Sequence, residues 1–241
     1  MSFTACQTGV MCGKFTSLAS WAEVVDFSQA LTSDRGGGGG GDEGGADDVA
    51  TYRVNGMLPV IIWDPEQQKR RAVRMRWGFP DPRDWRRPRP IHARAETIDS
   101  REAFRDAFRD VQAGVVVFRT FNEGKEEANS KGQSVAKQWT IDPKDGQPRG
   151  FAFLWRRFEV PDLPAPMLAC VMVTVPASKL IREAIKPNED DPRMPAILGD
   201  DDWALWLGEI SATPEQRKAL LKTMEGVAWE TYPEPRAPRK R

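Results

Sequence analysis

The chain has 241 residues, which is long enough for one large domain or two small domains with a hydrophobic core. Lys and Arg residues number 35 and so do Asp and Glu residues, so the net charge by itself indicates no partner. Three cysteines and one histidine exclude a regular disulfide framework and a zinc-binding pattern. No apolar run approaches ~18 residues and no signal-peptide core is present, so we expect a soluble monomer of the cytoplasm, nucleoid-associated in a bacterium, without metal, cofactor or membrane partner.

The start of the chain holds a candidate nucleophile. Residues 1–11 show no periodicity and are interpreted as an extension or a removable leader, after which Cys12 would become the N-terminal residue. An N-terminal cysteine carries an amine with an ordinary pKa of about 8 and a thiol with one of about 8.5. This pair attacks an aldehyde through the amine and then closes a thiazolidine ring through the sulfur. The alternative is that Cys12 is a small buried residue.

Two segments separate this start from the first long strands. Ser20 and Glu23 form a capping box, which predicts a helix with Trp21 and Leu31 on its apolar face. The glycine run at 36–45 lacks the Lys-Ser/Thr of a phosphate-binding loop and has acidic neighbours. We therefore interpret 35–48 as a flexible insertion.

A hairpin is predicted next. Residues 58–63 are almost continuously apolar, 64–68 resemble a turn, and the apolar residues of 73–77 alternate with Arg74 and Arg76, which predicts one basic face. Ten basic and two acidic residues lie between 69 and 94, with Trp77, Phe79 and Trp85 interleaved. This composition is typical of a groove for single-stranded nucleic acid, and a solvated charged face is the alternative.

The second half of the chain alternates between strands and short helices. Ser100 is predicted to cap a helix, residues 126–136 to form a polar loop, and Cys170 to lie in the core. Strands are predicted at 115–118, 137–141, 151–155 and 167–175, and helices at 177–185, at 200–207 and from Thr213 onward. Residues 188–195 form an acidic loop, and residues 229–241 are interpreted as a basic, Pro-rich tail.

Several short motifs occur in a recognisable order. They are 11–15 (MCGKF), 75–80 (MRWGFP), 91–97 (IHARAET), 104–108 (FRDAF), 121–123 (FNE), 192–195 (PRMP), and the tryptophans and leucine of 203–207. Together they resemble the SOS-response-associated peptidase (SRAP) family, and the resemblance extends from about residue 11 to residue 207. It implies an α+β fold with a compact, barrel-like antiparallel sheet flanked by short helices, here a single domain at 12–228. It also implies a positively charged cleft for single-stranded DNA.

The resemblance further implies covalent capture of abasic sites in DNA. Cys12 would form a Schiff base with the ring-opened deoxyribose and then a thiazolidine, and a self-cleaving peptidase activity would expose this cysteine. Glu123 would transfer protons at the amine and the ring oxygen, although its spacing alone favours an exposed loop carboxylate.

The same resemblance implies DNA contacts and also shows two departures. Lys14 and Arg76 would contact phosphates, Arg94 a phosphate or sugar, and Trp77 would lie near the base stack. His92 stands where the family has asparagine, and Asp191 where it has histidine, so both are placed in the catalytic set as replacements. Three hypotheses stay open: abasic-site crosslinking, single-stranded DNA binding without crosslinking, and a cysteine-dependent peptidase that removes its own leader.

Overall fold

The computed structural model describes residues 14–17, 50–161, 163–224 and 226–234. The predicted leader, Cys12, the helix after Ser20 and the glycine-rich insertion at 35–48 lie outside these residues, as does the end of the tail from residue 235. Within the described ranges, no helix has the length and apolarity needed to cross a membrane.

The described chain contains fifteen strands. In order they are β1 (Lys14–Ser17), β2 (Ala50–Arg53), β3 (Met57–Asp64), β4 (Lys69–Trp77), β5 (Pro80–Asp81), β6 (Asp84–Pro88), β7 (His92–Arg94), β8 (Ala113–Phe118), β9 (Thr120–Ala128), β10 (Ser134–Pro143), β11 (Arg149–Phe158), β12 (Met167–Pro176), β13 (Arg193–Pro195), β14 (Ile197–Leu198) and β15 (Trp229–Pro233). The helices that the structure describes are short: α1 (Arg105–Arg109), α2 (Trp203–Leu207), α3 (Pro214–Ala219), 3-10 turns at Ala95–Thr97 and Asp200–Asp202, and a π-helical turn at Ile181–Ile185.

Five strands close into a barrel. Around the ring, β12 pairs with β4, β4 with β3, β3 with β8, β8 with β11, and β11 returns to β12. Four of these pairings are antiparallel, and the pairing of β4 with β12 is parallel, with Trp77 opposite Cys170. The predicted α+β fold with a barrel-like sheet is confirmed, with one parallel seam added.

The barrel interior is filled by apolar side chains, as expected for a small barrel. β8 is buried along its whole length, and β12 along most of it, which explains why both read as continuous apolar runs. Phe118 stacks on Phe151 with the ring centroids 3.4 Å apart. The predicted hairpin and the strands at 115–118, 151–155 and 167–175 are therefore confirmed, and Cys170 is fully buried.

A second, five-stranded sheet lies beside the barrel, in the order β15-β10-β9-β1-β2. The loop predicted at 126–136 is wrong, because β9 continues to Ala128 and β10 begins at Ser134. These strand ends are polar because they are largely exposed, and Lys137 pairs with Glu127 across them at 2.7 Å. The boundary predicted at 228 is also wrong, since β15 pairs with β10 and belongs to the folded unit.

Two of the predicted helix starts have different outcomes. Helix α1 begins only at Arg105 and has no side-chain cap, because the Ser100 hydroxyl donates to the Thr97 carbonyl instead. Thr213 does cap α3, in a capping box with Gln216 and with proline at the start. The helix predicted at 177–185 is confirmed over 179–185, where its last five residues form the π-helical turn. The one predicted at 200–207 is confirmed as a 3-10 turn leading into α2.

The packing of Gly150 against α2 gives a test of the fold. A Cβ atom at this position would collide with the Trp203 ring and the Val115 side chain. We expect Gly150→Ala to lower the free energy of unfolding by about 1–3 kcal/mol in urea denaturation, because overpacking strains a dense core. Gly199→Ala is the control, since its Cβ would meet Asp202 Oδ2 at 3.2 Å and that flexible side chain can move. Equal stability of the two variants would contradict this packing.

Candidate functional site

The described site is built around a buried carboxylate. Glu123 lies on β9 opposite Trp139 of β10, and its side chain is 0% exposed. The Lys186 ammonium lies 3.0 Å from Glu123 Oε2, and the Lys186 side chain is 1% exposed. Glu123 is therefore not the exposed loop carboxylate that spacing alone favours, and it forms a buried ion pair instead.

Lys186 reaches this position from a different element. It follows the π-helical turn at Ile181–Ile185, and its backbone N–H donates to the Ile181 carbonyl at 2.8 Å. Its ammonium also lies 3.5 Å from Glu189 Oε2. Sequence analysis missed Lys186, because a lysine just after a helical segment is an ordinary surface feature there.

The strand beside Glu123 is the one that follows Cys12. β1 pairs antiparallel with β9, with Thr16 opposite Thr120 and Phe15 opposite Phe121. Because the pairing is antiparallel, the residues of β1 nearest its start lie opposite the residues of β9 nearest Glu123. Lys14 belongs to this strand, and Cys12 lies just before it, outside the described residues.

A second cluster joins two arginines through carboxylates. Arg94 Nη1 lies 2.7 Å from Asp191 Oδ2, and both side chains are about half exposed. Asp191 Oδ1 is also 3.6 Å from buried Arg193, which donates to both oxygens of Glu96 at 2.8 and 2.7 Å. Arg193 donates further to the Thr174 carbonyl at 3.0 Å. The structure thus brings Arg94 and Asp191 together and adds Arg193, to which sequence analysis assigned no role.

The ionisation of the Glu96 carboxylate is affected by this cluster. Its two hydrogen bonds from Arg193 hold the pKa of Glu96 below its usual value, against the opposing effect of partial burial. A paired, ionised Glu96 fixes the plane of the Arg193 guanidinium. The Arg193 guanidinium also lies near Asp191, so Glu96 helps to orient the arginine that contacts Asp191.

His92 lies on the same strand as Arg94. β7 pairs parallel with β12, with His92 opposite Met172 and Arg94 opposite Thr174. Residues two apart on a strand point to the same face, so His92 and Arg94 share one. The half-buried His92 ring meets Trp77 edge to face, with centroids 6.3 Å apart.

The DNA contacts expected of Arg76 and Trp77 are not supported. Arg76 is 6% exposed, and its guanidinium donates to Asn55 Oδ1 and to the carbonyls of Trp85 and Arg86. Trp77 is 0% exposed and its indole N–H donates to the Ile91 carbonyl. Arg76 therefore holds the β5–β6 hairpin against β4, and Trp77 holds the residue just before β7.

Most of the basic surface lies outside β4. Of the two arginines expected to form its basic face, Arg74 is exposed and Arg76 is buried. Arg70 and Arg71 of the same strand pair with Glu209 and Asp64. Six of the ten basic residues between 69 and 94 are exposed, namely Arg74, Arg83, Arg86, Arg87, Arg89 and Arg94. Four of them belong to the β5–β6 hairpin or its exit, where the Arg86 guanidinium lies 4.7 Å from the centre of the Trp85 ring.

The described residues were compared with the requirements of a metal site and of a reactive thiol. No group of three His, Cys, Asp or Glu residues within them is arranged to hold a metal ion. Burial raises the pKa of the Cys170 thiol well above its usual value, so this cysteine is unreactive.

Comparison with known proteins agrees with this architecture. The family model described as SOS response associated peptidase (SRAP) matches residues 11–237. Among curated proteins, the abasic site processing proteins YoqW and YoaM of Bacillus subtilis are 22% and 23% identical over 238 and 228 residues. The alignments cover 92% of this chain, and 91% and 90% of those proteins.

Solved structures share the fold. A crystal structure of a protein from Bordetella bronchiseptica has a TM-score of 0.71 at 20% identity, covering 93% of this chain and all of that one. A crystal structure from Bacteroides thetaiotaomicron has a TM-score of 0.73 at 19% identity, covering 92% of this chain and 91% of that one. At this identity the likeness concerns the fold alone.

The Glu96–Arg193 pair predicts a pH-dependent stability. Because the folded-state pKa of Glu96 is lowered, its stabilisation is fully present above the unfolded value of about 4.3 and is lost as the pH falls through the folded value. Glu96→Gln should therefore cost about 1 kcal/mol of unfolding free energy at pH 7, with the difference shrinking below about pH 4. Urea denaturation at both pH values measures this.

The matched control is Glu159→Gln, which removes a carboxylate paired with Arg157 on an exposed surface. It should change the stability by less than about 0.5 kcal/mol at either pH. A Glu96→Gln deficit that stays constant down to pH 3 would show that the ion pair is not its source.

Proposed function

The chain belongs to the SOS response associated peptidase family, and from this membership we propose that it processes abasic sites in single-stranded DNA. Cys12, once N-terminal, captures the aldehyde of the lesion as a thiazolidine. The names of the Bacillus relatives, which call them abasic site processing proteins, support this direction. The observation that carries the proposal is the buried Glu123 carboxylate, on the strand that pairs with β1.

Covalent geometry limits how far Cys12 can lie from the start of β1. Consecutive Cα atoms are about 3.8 Å apart, so the Cα of Cys12 lies within roughly 8 Å of the Cα of Lys14. Lys14 begins β1, whose register with β9 runs toward Glu123. An amine and a carboxylate within such reach are the pair that imine chemistry requires.

The reaction begins with proton transfer and addition. The Cys12 ammonium gives a proton to the Glu123 carboxylate, and the freed amine adds to the aldehyde carbon of the ring-opened sugar. The C=O electron pair moves to oxygen, which takes a proton from the added nitrogen to give a carbinolamine. Protonated Glu123 then passes its proton to the hydroxyl, which leaves as water while the nitrogen lone pair forms the C=N bond.

Ring closure completes the capture. The Cys12 sulfur forms a bond to the imine carbon, the C=N electron pair returns to nitrogen, and the thiol proton passes to Glu123 and then to solvent. The products are a thiazolidine, one water and one proton. Glu123 ends as it began, as a carboxylate that has moved protons in both directions.

The exposed arginines supply the nucleic-acid contacts in this proposal. Arg94 lies on the same strand face as His92, and the β5–β6 hairpin and its exit add four exposed arginines, of which Arg86 lies over the Trp85 ring. Cations that follow phosphates, with an aromatic ring among them, suit single-stranded DNA. In this role Arg94 exchanges its contact with Asp191 for a phosphate.

Binding without crosslinking is the second candidate, and one contact favours it. Asp191 stands where the family has histidine, and it is engaged by Arg94 and Arg193. A salt-bridged carboxylate offers hydrogen-bond acceptors only, whereas a histidine ring can also donate from an N–H. A peptidase that removes its own leader is the third candidate, and an intact mass starting at Cys12 after storage of the 1–241 chain would support it.

The capture reaction gives the decisive prediction. A protein that begins at Cys12 should form a denaturant-resistant adduct with abasic single-stranded DNA on a gel, and the 1–241 chain should do so only after losing its leader. An amide nitrogen at Cys12 has its lone pair delocalised into the carbonyl and cannot attack. Cys12→Ala should abolish the adduct, and Glu123→Gln should slow it by about 10²-fold.

Two results would separate the candidates. DNA of the same sequence without the lesion controls for non-covalent binding. If the protein beginning at Cys12 binds abasic DNA yet yields no adduct, crosslinking is excluded and the binding-only function stands. His92→Asn and Asp191→His, which restore the family residues, would then show whether these replacements caused the loss.

The DNA surface gives a separate prediction. Arg86→Gln combined with Arg87→Gln should weaken single-strand binding, and so should Arg94→Gln. Each lost phosphate contact lowers the slope of log affinity against log salt by about 0.7. Fluorescence anisotropy across salt concentrations measures both quantities. Arg157→Gln, an exposed arginine outside the basic segment, is the control, and equal slopes for all variants would remove the hairpin and Arg94 from the interface.

A further inference from the structure

We propose that Lys186 is a positioning residue for Glu123, holding its carboxylate ionised and correctly oriented to accept the proton of the Cys12 amine. The inference rests on the proposed function and deepens it, because it names the group that prepares the proton acceptor. Its basis is the 3.0 Å contact between two side chains that are both buried.

Because Glu123 is buried, its contact with Lys186 affects whether the carboxylate is ionised. A carboxylate removed from water takes up a proton unless a partner stabilises its charge. The Lys186 ammonium supplies that partner as an ion pair at 3.0 Å, with solvent excluded from both side chains. The lysine therefore stabilises the charged form of this proton acceptor.

The lysine is itself held from two sides. Its backbone is tied to Ile181 across the π-helical turn, and Glu189 lies 3.5 Å from its ammonium. Glu123 comes from β9, so the pair joins two elements and fixes the direction of the carboxylate. Lys125, two residues along β9, lies over the Trp139 ring at 4.4 Å. Glu123 and Glu189 both lie within ion-pair distance of the Lys186 ammonium.

The same pairing argues against Lys186 as a second nucleophile. Attack on an aldehyde needs an unprotonated amine, and a carboxylate on each side stabilises the ammonium form. Lys186 would therefore act only through Glu123. Borohydride reduction of the 1–241 chain on abasic DNA tests this, because the Cys12 nitrogen is an amide in that chain and cannot attack. A trapped adduct there that disappears with Lys186→Met would overturn the proposal.

The kinetic test uses protein that begins at Cys12. Lys186→Met should slow single-turnover adduct formation at pH 7 by about 10-fold or more, because protonated Glu123 cannot accept the amine proton. The deficit should narrow above about pH 8, where the amine loses its proton without a base. Lys186→Arg keeps the charge and should recover most of the rate. If Lys186→Met does not fold, Lys186→Gln takes its place.

The controls separate this role from a general loss of structure. Lys179→Met changes an exposed lysine ahead of the same turn and should leave the rate unchanged. Binding to DNA carrying a tetrahydrofuran site, which has no aldehyde, should be the same for all variants. A normal rate for Lys186→Met at pH 7, a deficit that is equal at every pH, or no recovery with Lys186→Arg would each overturn the proposal.

An infrared measurement keeps this proposal apart from the proposed function. The carboxylate band that is lost in Glu123→Gln reports the ionisation of Glu123 without any DNA. It should be present in the parent protein at pH 7 and be replaced by a protonated carboxyl band in Lys186→Met. If the parent protein forms no adduct, the capture function fails, and this band still decides whether Lys186 holds Glu123 ionised.

Discussion

The parallel pairing of β12 with β4 and β7 is the constraint on which the architecture depends. β12 closes the barrel between β4 and β11, and β7 joins it further along in the same parallel direction. Trp77 lies opposite Cys170 and His92 lies opposite Met172, only two residues further along β12, so residues 78–91 must leave the sheet and return. That connection is the β5–β6 hairpin, so closing the barrel also projects the exposed arginines outward.

The seam also explains the roles of the residues beside it. Arg76 and Trp77 end β4 against β12, and both side chains turn to backbone carbonyls of the connection that follows. Beyond that connection, β7 carries His92 and Arg94 past Met172 and Thr174. Arg76 and Trp77, which sequence analysis expected to contact DNA, are buried and hold the β5–β6 hairpin and β7 in place. The exposed arginines of the same segment form the basic surface.

Ion pairs that involve buried charges are the second recurring feature. Buried Glu123 pairs with buried Lys186, and buried Arg193 pairs with the half-exposed Glu96, so each of these three buried residues has a partner from a different segment. Such pairs contribute little net stability over apolar packing, but losing one partner is costly. They hold functional groups in defined directions, which suits a site that must move protons between fixed atoms.

Sequence alone determined the family, the barrel class, the core strands and the Thr213 cap, because these depend on local patterns and on motifs close in the chain. Tertiary structure alone decided that Arg76 and Trp77 face inward, that Lys186 meets Glu123, and that 229–233 is a strand. Each of these depends on a partner distant in the sequence, such as β12 for Trp77 or β10 for β15. Whether a charge is exposed depends on which strands close over it, and the composition of a segment does not contain that information.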